Sequence, residues 1–320
     1  KRVVFAEGEE EGILRAVPTI IDEKLARPVL IGRPAVIEQR IARLGLMIRP
    51  GEHFEITNID SDPRFNDYWQ HYHRLMARRG VTPAAAKAIV RSRSTVIAAL
   101  MVERGEADAM IGGSVGRFQR KLQYVQDIIG LEGDSEAPAA MSALACDKGT
   151  FFFLDTYVNQ DPSAHELATA TIMAVERLKV FGIRAKVALL SHSNFGSEDS
   201  PSSQKMREVL RLLNQRAPDL EVDGEMHADA AIDASIRERL LPGSRLTGSA
   251  NMFVFPNLDA ANISFNMVRM LTGGVTLGPI VMGLRKPCYV LTNSATVRRV
   301  VNMTALAVVD AQLRARQAAG

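Results

Sequence analysis

Cysteine is scarce in this sequence, with only Cys146 and Cys288 among 320 residues. Two cysteines exclude a disulfide framework and fit a reducing compartment. No apolar run reaches the roughly 18 to 20 residues that a membrane-spanning helix needs, and no signal peptide precedes Lys1. We therefore expect a cytoplasmic protein with no membrane partner. The absence of an initiating methionine also fits a segment of a longer polypeptide.

The sequence also lacks a large excess of charge of either sign. The 39 basic and 36 acidic residues leave a net charge of +3, so no nucleic-acid partner is indicated. Metal-site patterns such as HExxH or CxxC are missing, and His71 and His73 are spaced so that a helix would not present them on one face. We expect no metal site. At 47% hydrophobic, the chain can bury one large core or two smaller ones.

Short apolar runs alternate with helical patterns along the whole sequence. Such runs predict buried parallel strands, here at Val3–Ala6, Pro28–Ile31, Phe54–Ile59, Ala107–Ile111, Thr150–Leu154, Lys186–Leu190, Leu220–Val222, Met252–Phe255, Thr276–Met282 and Cys288–Thr292. The β-α-β-α order predicts an α/β fold with mostly parallel sheets and helices on both faces.

Proline next to a capping residue marks several helix starts. These starts predict one helix from Thr82-Pro83 to about Arg104, others from Asp161-Pro162 to about Val180 and from Ser200-Pro201 to about Arg216, and a last one from Thr296 to Arg316. The polar, acidic stretch Leu131–Pro138 is the best domain boundary.

A polar turn follows the predicted strand Lys186–Leu190, and it reads Ser191-His-Ser-Asn-Phe-Gly-Ser197. Small polar side chains and backbone N–H groups at such a turn suit phosphate or carbonyl oxygens. The alternative is a capped loop in which Asn194 and Ser197 bond their own backbone. A second polar region, Ser249–Asn302, contains strands that end in Gly/Pro-punctuated turns, which is where ligands bind in α/β sheets.

An ordered set of motifs resembles the phosphate acetyltransferases, which move an acetyl group between coenzyme A and phosphate. The motifs are Val3–Gly8, Gly105–Gly113, Phe153-Leu-Asp-Thr156, the Ser191–Ser197 turn, Val222-Asp-Gly-Glu225, Asn251–Asn262 and Leu291–Arg299. The resemblance implies two α/β/α domains with an interdomain ligand cleft, a fold similar to isocitrate and isopropylmalate dehydrogenases. We expect a discontinuous first domain, residues 1–135 plus 289–320, and a second domain, residues 136–288.

The sequence departs from that family where its chemistry resides. The family's Ser and clamp Arg correspond to Thr292 and Asn293, and its essential Asp falls at or beside Arg299. Two further phosphate-binding Arg positions align with Met76 and Gln123. An arginine cannot accept the thiol proton that the Asp would take, and Asn293 lacks the bidentate charge of an arginine. We therefore expect no catalytic residues and no transacetylase activity.

Three segments resemble the C-terminal region of the large bacterial NADP-dependent malic enzymes in sequence: Tyr72–Val81, Gly113–Arg117 and Lys286–Leu291. The resemblance implies a regulatory, oligomerising module (dimer or higher) with acetyl-CoA as effector. NADP and a divalent metal would bind the malic enzyme part outside this chain. The expected acetyl-CoA-binding residues are Ser191, Ser193, Asn194, Asn262, Gly278, Pro279, Lys286, Thr292 and Asn293. Two alternatives stay open: an active phosphate acetyltransferase and a purely structural oligomerisation domain.

The basic residues of the N-terminal half also allow two interpretations. They are either a solvated face or, in part, a landing surface for the phosphates of coenzyme A: Arg74, Arg78, Arg79, Arg91, Arg93, Arg117, Arg120 and Lys121.

Overall fold

The computed structural model describes residues 1–133 and 135–317. In chain order, the strands are β1 (Arg2–Phe5), β2 (Arg27–Ile31), β3 (Glu55–Thr57), β4 (Ala109–Gly112), β5 (Ala139–Cys146), β6 (Gly149–Leu154), β7 (Lys186–Leu190), β8 (Glu221–Met226), β9 (Met252–Val254), β10 (Val275–Met282) and β11 (Cys288–Val290). The helices are α1 (Glu11–Asp22), α2 (Pro34–Leu44), α3 (Phe65–Met76), α4 (Pro83–Ser92), α5 (Ser94–Glu103), α6 (Phe118–Ile129), α7 (Ala164–Val180), α8 (Pro201–Arg216), α9 (Ala228–Ile232), α10 (Ala234–Leu240), α11 (Leu258–Thr272) and α12 (Val297–Gln317).

The chain divides into two compact units. Unit 1 consists of Lys1–Glu132 with Leu284–Gly320, and unit 2 of Gly133–Gly283. Residues 284–288, which we expected in the second domain, therefore lie in unit 1. The reason is that Cys288 begins β11 and pairs with Met110 of β4. The expected boundary stretch also includes residue 134, which lies outside the described residues.

Unit 1 is built on a five-stranded parallel sheet with the strand order β11-β4-β1-β2-β3. Its strands are short and apolar, and residues such as Val4 and Met110 are fully buried, as strands covered by helices on both faces require. Helix α5 buries eight of its ten residues. The strand order reverses at β1 and β4, so the carboxyl ends of these strands form a switch point where ligands bind in such sheets.

Unit 2 is built on a six-stranded sheet with the order β10-β5-β6-β9-β7-β8. The pairs β10–β5 and β5–β6 are antiparallel, and the remaining pairs are parallel. Phenylalanine rings form the centre of its core: Phe153 packs on Phe253, Phe255 and Phe265 with centroid distances of 5.4, 6.1 and 5.5 Å. The α/β class with mostly parallel sheets is confirmed.

Two sequence predictions of local structure were wrong. Strand β5 was missed because its sequence, Ala-Ala-Met-Ser-Ala-Leu-Ala-Cys, is rich in alanine and lacks β-branched residues. The single helix expected from Thr82 to Arg104 is two helices, because Arg93 leaves the helical conformation with φ −128° and ψ 93°. Thr82 and Ser200 do cap α4 and α8, as the sequence indicated.

Candidate functional site

The Ser191–Ser197 turn lies at the carboxyl end of β7, as expected, but its polar groups are already engaged within unit 2. Ser193 is fully buried, and its hydroxyl donates to Glu225 Oε1 at 2.7 Å. The six successive N–H groups of residues 193–198 all donate to protein oxygens. Such a loop offers few backbone donors to an anion, so the structure favours the capped-loop alternative for residues 193–198.

Glu225 organises this loop. The carboxylate is 1% exposed, and its Oε1 accepts hydrogen bonds from Ser193, from Gly196 N at 2.9 Å and from Arg207 Nη1 at 3.0 Å. Burial raises the pKa of this carboxyl, but the hydrogen bonds from Ser193 and Gly196 and the Arg207 charge outweigh burial and hold the pKa below its usual value. Sequence reasoning gave Glu225 no role. Only its place in a family-like motif could have drawn attention to it.

Ser191 and Asn194 lie on the same loop and are half-buried. The Ser191 hydroxyl accepts from Ser193 N at 3.1 Å, and the Asn194 side-chain oxygen accepts from His227 N at 2.8 Å. His227 in turn contacts the His192 carbonyl through Nε2 at 2.7 Å. The Asn194 side chain therefore helps to fix the loop to the residue that follows β8, and the Ser191 side chain bonds within the loop.

Asn262 and the pair Gly278-Pro279 also have structural roles in unit 2. The Asn262 amide donates to the Thr156 carbonyl at 3.0 Å from helix α11. Gly278 and Pro279 are buried at a register shift between β10 and β5. Gly278 has φ +122°, and a Cβ there would stand 2.9 Å from the Met141 carbonyl oxygen, so only glycine fits this bulge.

Lys286 is part of unit 1 and lies before β11. Its ammonium donates to the Val102 and Glu103 carbonyls at 3.1 and 2.6 Å, and Glu103 Oε2 is 3.4 Å away. It therefore caps the carboxyl end of α5, where a cation is favourable. Thr292 follows β11 at the opposite end of this strand. The structure thus separates Lys286 from Thr292 and Asn293 rather than bringing them together.

Thr292 and Asn293 lie at the carboxyl edge of the unit 1 sheet. The Thr292 hydroxyl is 3.0 Å from the Ser294 hydroxyl, and Asn293 is exposed. The preceding residue, Leu291, donates its N–H to the Gly112 carbonyl at 2.6 Å and lies against Gly113. Gly113 has φ +91°, and a Cβ there would stand 2.5 Å from the Leu291 carbonyl oxygen.

The neighbouring end of β1 contributes a carboxylate to the same edge. Glu7 Oε2 accepts from Gly113 N at 2.8 Å and from the Ser114 hydroxyl at 3.3 Å, while its other oxygen pairs with Lys121. Hydrogen bonds therefore join the carboxyl ends of β1, β4 and β11 at the switch point: Glu7 bonds Gly113 and Ser114, and Leu291 bonds Gly112. Sequence reasoning did not find the anchoring role of Glu7.

The residues that we expected at the family's essential acid and at two phosphate-binding arginines are Arg299, Met76 and Gln123, and none of them can act as a general base. Arg299 lies in α12 and is only 8% exposed. Met76 is buried and apolar, and the Gln123 amide donates to Asp127 at 2.9 Å.

Among the described residues, no group of three His, Cys, Asp or Glu side chains could hold a metal ion. Within the same residues, none of the helices is long and apolar enough to cross a membrane.

Comparison with known proteins decides the family. A family profile described as phosphate acetyl/butaryl transferase matches residues 1–308. A phosphate acetyltransferase of Paracoccus denitrificans is 34% identical over 316 residues, which cover 96% of this chain and 93% of that protein. The chain belongs to the phosphate acetyl/butaryl transferase family. The resemblance inferred from the motifs is confirmed.

Other proteins that match this chain are much longer than it is. The NADP-dependent malic enzyme of Escherichia coli K12 is 53% identical over 313 residues, which cover 98% of this chain and 41% of that protein. The match lies in the C-terminal part of such enzymes. The chain therefore spans about two fifths of the malic enzymes that it matches.

A solved structure has the same fold. A phosphotransacetylase structure from Streptococcus pyogenes has a TM-score of 0.87 at 26% identity, covering 98% of this chain and 94% of that one.

Proposed function

We propose that this chain is an acetyl-CoA-binding regulatory module of a malic enzyme, and that it has lost transacetylase activity while keeping the family fold. The observation that carries the proposal is Arg299, a buried guanidinium at or beside the position where the sequence resemblance places the family's essential acid. The proposed parent enzyme would convert malate to pyruvate and CO₂. It would bind NADP and a divalent metal in the part of the polypeptide outside this chain.

The loss of activity follows from proton transfer. A thiol with a pKa near 8.5 needs a base to attack efficiently at neutral pH. Arg299 cannot be that base, because a guanidinium does not give up its proton in a protein. Glu7, the carboxylate at the same edge of the sheet, already accepts from Gly113, Ser114 and Lys121. Asn293 offers an amide in place of a charged, bidentate clamp.

The identity to malic enzymes supports a regulatory role rather than an independent one. A module within a larger enzyme influences catalysis if its ligand binds one state of the assembly better than another. We expect inhibition, because acetyl-CoA signals that carbon is already abundant downstream of pyruvate. A typical coupling of about 1–3 kcal/mol corresponds to roughly 5–150-fold in affinity. The edge formed by the half-buried Thr292 and the exposed Asn293 is the part of the expected site that we propose for such a ligand.

The test is malate-dependent NADPH formation by the full-length protein with and without acetyl-CoA. We expect inhibition in the wild type and its loss when Asn293 is replaced by a bulky residue such as Trp. Each variant's own rate without acetyl-CoA serves as its reference. A matched control is Asn214→Trp, on α8 of unit 2, which should remain inhibited. Equal inhibition of the wild type and Asn293→Trp would place the effector site elsewhere.

The 34% identity to a phosphate acetyltransferase along almost its whole length favours one alternative, a working transacetylase with a divergent site. Formation of acetyl-CoA from acetyl phosphate and coenzyme A distinguishes the two. The N–H groups of residues 193–198, which all donate within the protein, favour another alternative, a structural domain that assembles the enzyme into dimers or higher oligomers. In that case, acetyl-CoA would neither bind nor inhibit.

A further inference from the structure

A cavity of about 640 Å³ opens at the edge of the unit 2 sheet where β7 and β8 begin. It is lined by the carboxyl-terminal part of α7, the last residue of α8 and the segments 182–185 and 217–220, which lead into these two parallel strands. The Ser191–Ser197 turn follows β7 and therefore lies at the opposite edge of the sheet. The volume of the cavity falls within the range of small-molecule sites.

The lining combines an apolar wall with charges that balance. The wall includes Ile172, Val175, Ile183 and Leu220. The charged residues are three cations and three carboxylates: Lys179, Arg184, Arg216, Glu176, Asp219 and Glu221. The lining therefore has no net charge and does not favour a plain anion or a plain cation. An apolar molecule that carries one charge of each sign complements it.

Two of these charges have no ionic partner. Lys179 pairs with Glu176 at 2.6 Å. Arg216 donates to the Thr169 hydroxyl at 3.0 Å, but within residues 1–133 and 135–317 no carboxylate lies within 4.0 Å of its guanidinium. In the same ranges, no cationic nitrogen lies within 4.0 Å of the Asp219 carboxylate. The exposed part of the lining therefore offers a cation and an anion that a ligand can balance.

Glu221 is the buried charge of the lining. Its side chain is 6% exposed, and its Oε1 accepts from the N–H and the hydroxyl of Thr247 at 2.7 and 2.6 Å. Its buried Oε2 has no hydrogen-bond partner in the described part of the chain; Arg184 Nη2 lies 3.1 Å away, on a side chain that is 80% exposed. Asp223 of the same strand has both oxygens hydrogen-bonded. An ammonium group in place of Arg184 would supply the missing hydrogen bond.

The field around Glu221 favours a cationic group. Burial raises the pKa of this carboxyl, but the hydrogen bonds from Thr247 and the charges of Lys186 and Arg184 outweigh burial and hold the pKa below its usual value. The carboxylate is therefore ionised at neutral pH. Helices α7 and α8 both end beside the cavity, and a helix carries partial negative charge at its carboxyl end. Arg216 provides the complementary contact for a carboxylate.

We propose that this cavity binds a free amino acid with an apolar side chain. The ammonium group of the ligand hydrogen-bonds Glu221 Oε2, and the exposed Arg184 side chain turns into solvent. The carboxylate of the ligand pairs with Arg216, and its apolar side chain packs on Ile183 and Leu220. The proposal goes beyond acetyl-CoA sensing, because no residue of the expected acetyl-CoA site lines this cavity.

The test is calorimetric titration of the 320-residue chain with L-leucine and with two analogues that each lack one charge. Isocaproate lacks the ammonium group of leucine, and isoamylamine lacks its carboxylate. We expect saturable binding of leucine and binding of both analogues at least about tenfold weaker, because each loses a charged hydrogen bond. No saturable leucine binding at about 10 mM, or equal affinity for leucine and isocaproate, would overturn the proposal.

Three variants test the individual contacts. Glu221→Gln keeps an acceptor for Thr247 but removes the charge, so it should weaken leucine binding about tenfold. Arg216→Gln should weaken it by about three- to fivefold. Arg184→Ala removes the cation that competes for Oε2, so it should strengthen leucine binding by about two- to threefold. Arg184 and Arg216 are exposed, so their variants should fold even if Glu221→Gln does not.

The matched control is Arg211→Gln, which removes an exposed arginine of α8 outside the cavity lining. It should leave leucine binding unchanged. Equal weakening by Arg211→Gln and Arg216→Gln, or weaker leucine binding by Arg184→Ala, would contradict the assigned contacts and overturn the proposal. Leucine binding by a chain that does not bind acetyl-CoA would support this cavity and refute the sensing function alone.

Discussion

Two loops of similar composition behave differently in this molecule. The Ser191–Ser197 turn follows β7 in unit 2, and the Thr292–Ser294 segment follows β11 in unit 1; both combine hydroxyls with an asparagine at the carboxyl end of a parallel strand. The first is held by the buried carboxylate of Glu225, whereas Asn293 of the second is exposed. Polar composition alone therefore does not distinguish a structural turn from a surface available to ligands. A buried charge from another part of the chain does.

The largest expected effect comes from removing that charge. Glu225→Ala leaves Arg207, Gly196 and Ser193 without their shared acceptor, and breaking a buried charged network costs about 3 kcal/mol of the free energy of unfolding. Urea unfolding followed by circular dichroism measures the loss. Glu198→Ala is the control, because this exposed neighbour should change the free energy by less than about 0.5 kcal/mol. Equal stability of Glu225→Ala and the wild type would contradict the role assigned to Glu225.

The same carboxylate predicts a pH dependence. The folded-state pKa of Glu225 is lowered, so its contribution to stability is present above the ordinary value of 4.5 and is lost as pH falls through the folded pKa. Glu225→Gln has no such titration. The difference in unfolding free energy between the wild type and this variant should therefore shrink between neutral pH and pH values below 4.5. A constant difference across this range would mean that Glu225 is not ionised in the folded chain.

A smaller effect separates two serines of the same turn. Ser193→Ala removes a buried hydroxyl that bonds both Glu225 and Glu198 N, so we expect a loss of about 1–2 kcal/mol. Ser197→Ala removes an exposed hydroxyl and should cost about 0.5 kcal/mol or less. Urea unfolding of both variants checks the ranking. The reverse order would show that the turn is not organised around Glu225.

The smallest effect on stability is expected in the other loop. Asn293→Ala changes an exposed residue, so the free energy of unfolding should stay within about 0.5 kcal/mol of the wild type. Thermal unfolding of this variant measures the difference. A loss of 1.5 kcal/mol or more would mean that the Thr292–Ser294 segment is as tightly held as the Ser191–Ser197 turn, and the contrast between the two loops would disappear.

Much of the fold could be predicted from the sequence because apolar runs and capping residues act locally. Ser200 and Pro201 mark the start of α8, and the run Lys186–Leu190 coincides with β7. Strand β5 could not be found in this way, since its alanines carry no strand preference and its conformation depends on pairing with β6 and β10. The break at Arg93 also lacks a glycine or proline that would signal it.

The candidate site was harder to predict, because contacts between distant residues decide it. The sequence led to Lys286 through a motif, yet the carbonyls of α5 that it caps lie more than 180 residues earlier. Ser193 and Glu225 are 32 residues apart, and no spacing rule connects them. The departures that we expect at Asn293 and Arg299 were inferred from the sequence, because these residue types lack the chemistry that the family resemblance implies there.

The most direct test of the central claim measures ligand binding and turnover on the same 320-residue chain. We predict that calorimetry detects saturable binding of acetyl-CoA and that a parallel assay with acetyl phosphate and coenzyme A shows no acetyl-CoA formation above the rate without protein. Turnover of about 1 s⁻¹ or more, within the ordinary range of enzymes, would contradict the account and identify a working transacetylase. A chain that neither binds nor turns over acetyl-CoA would leave only the structural role.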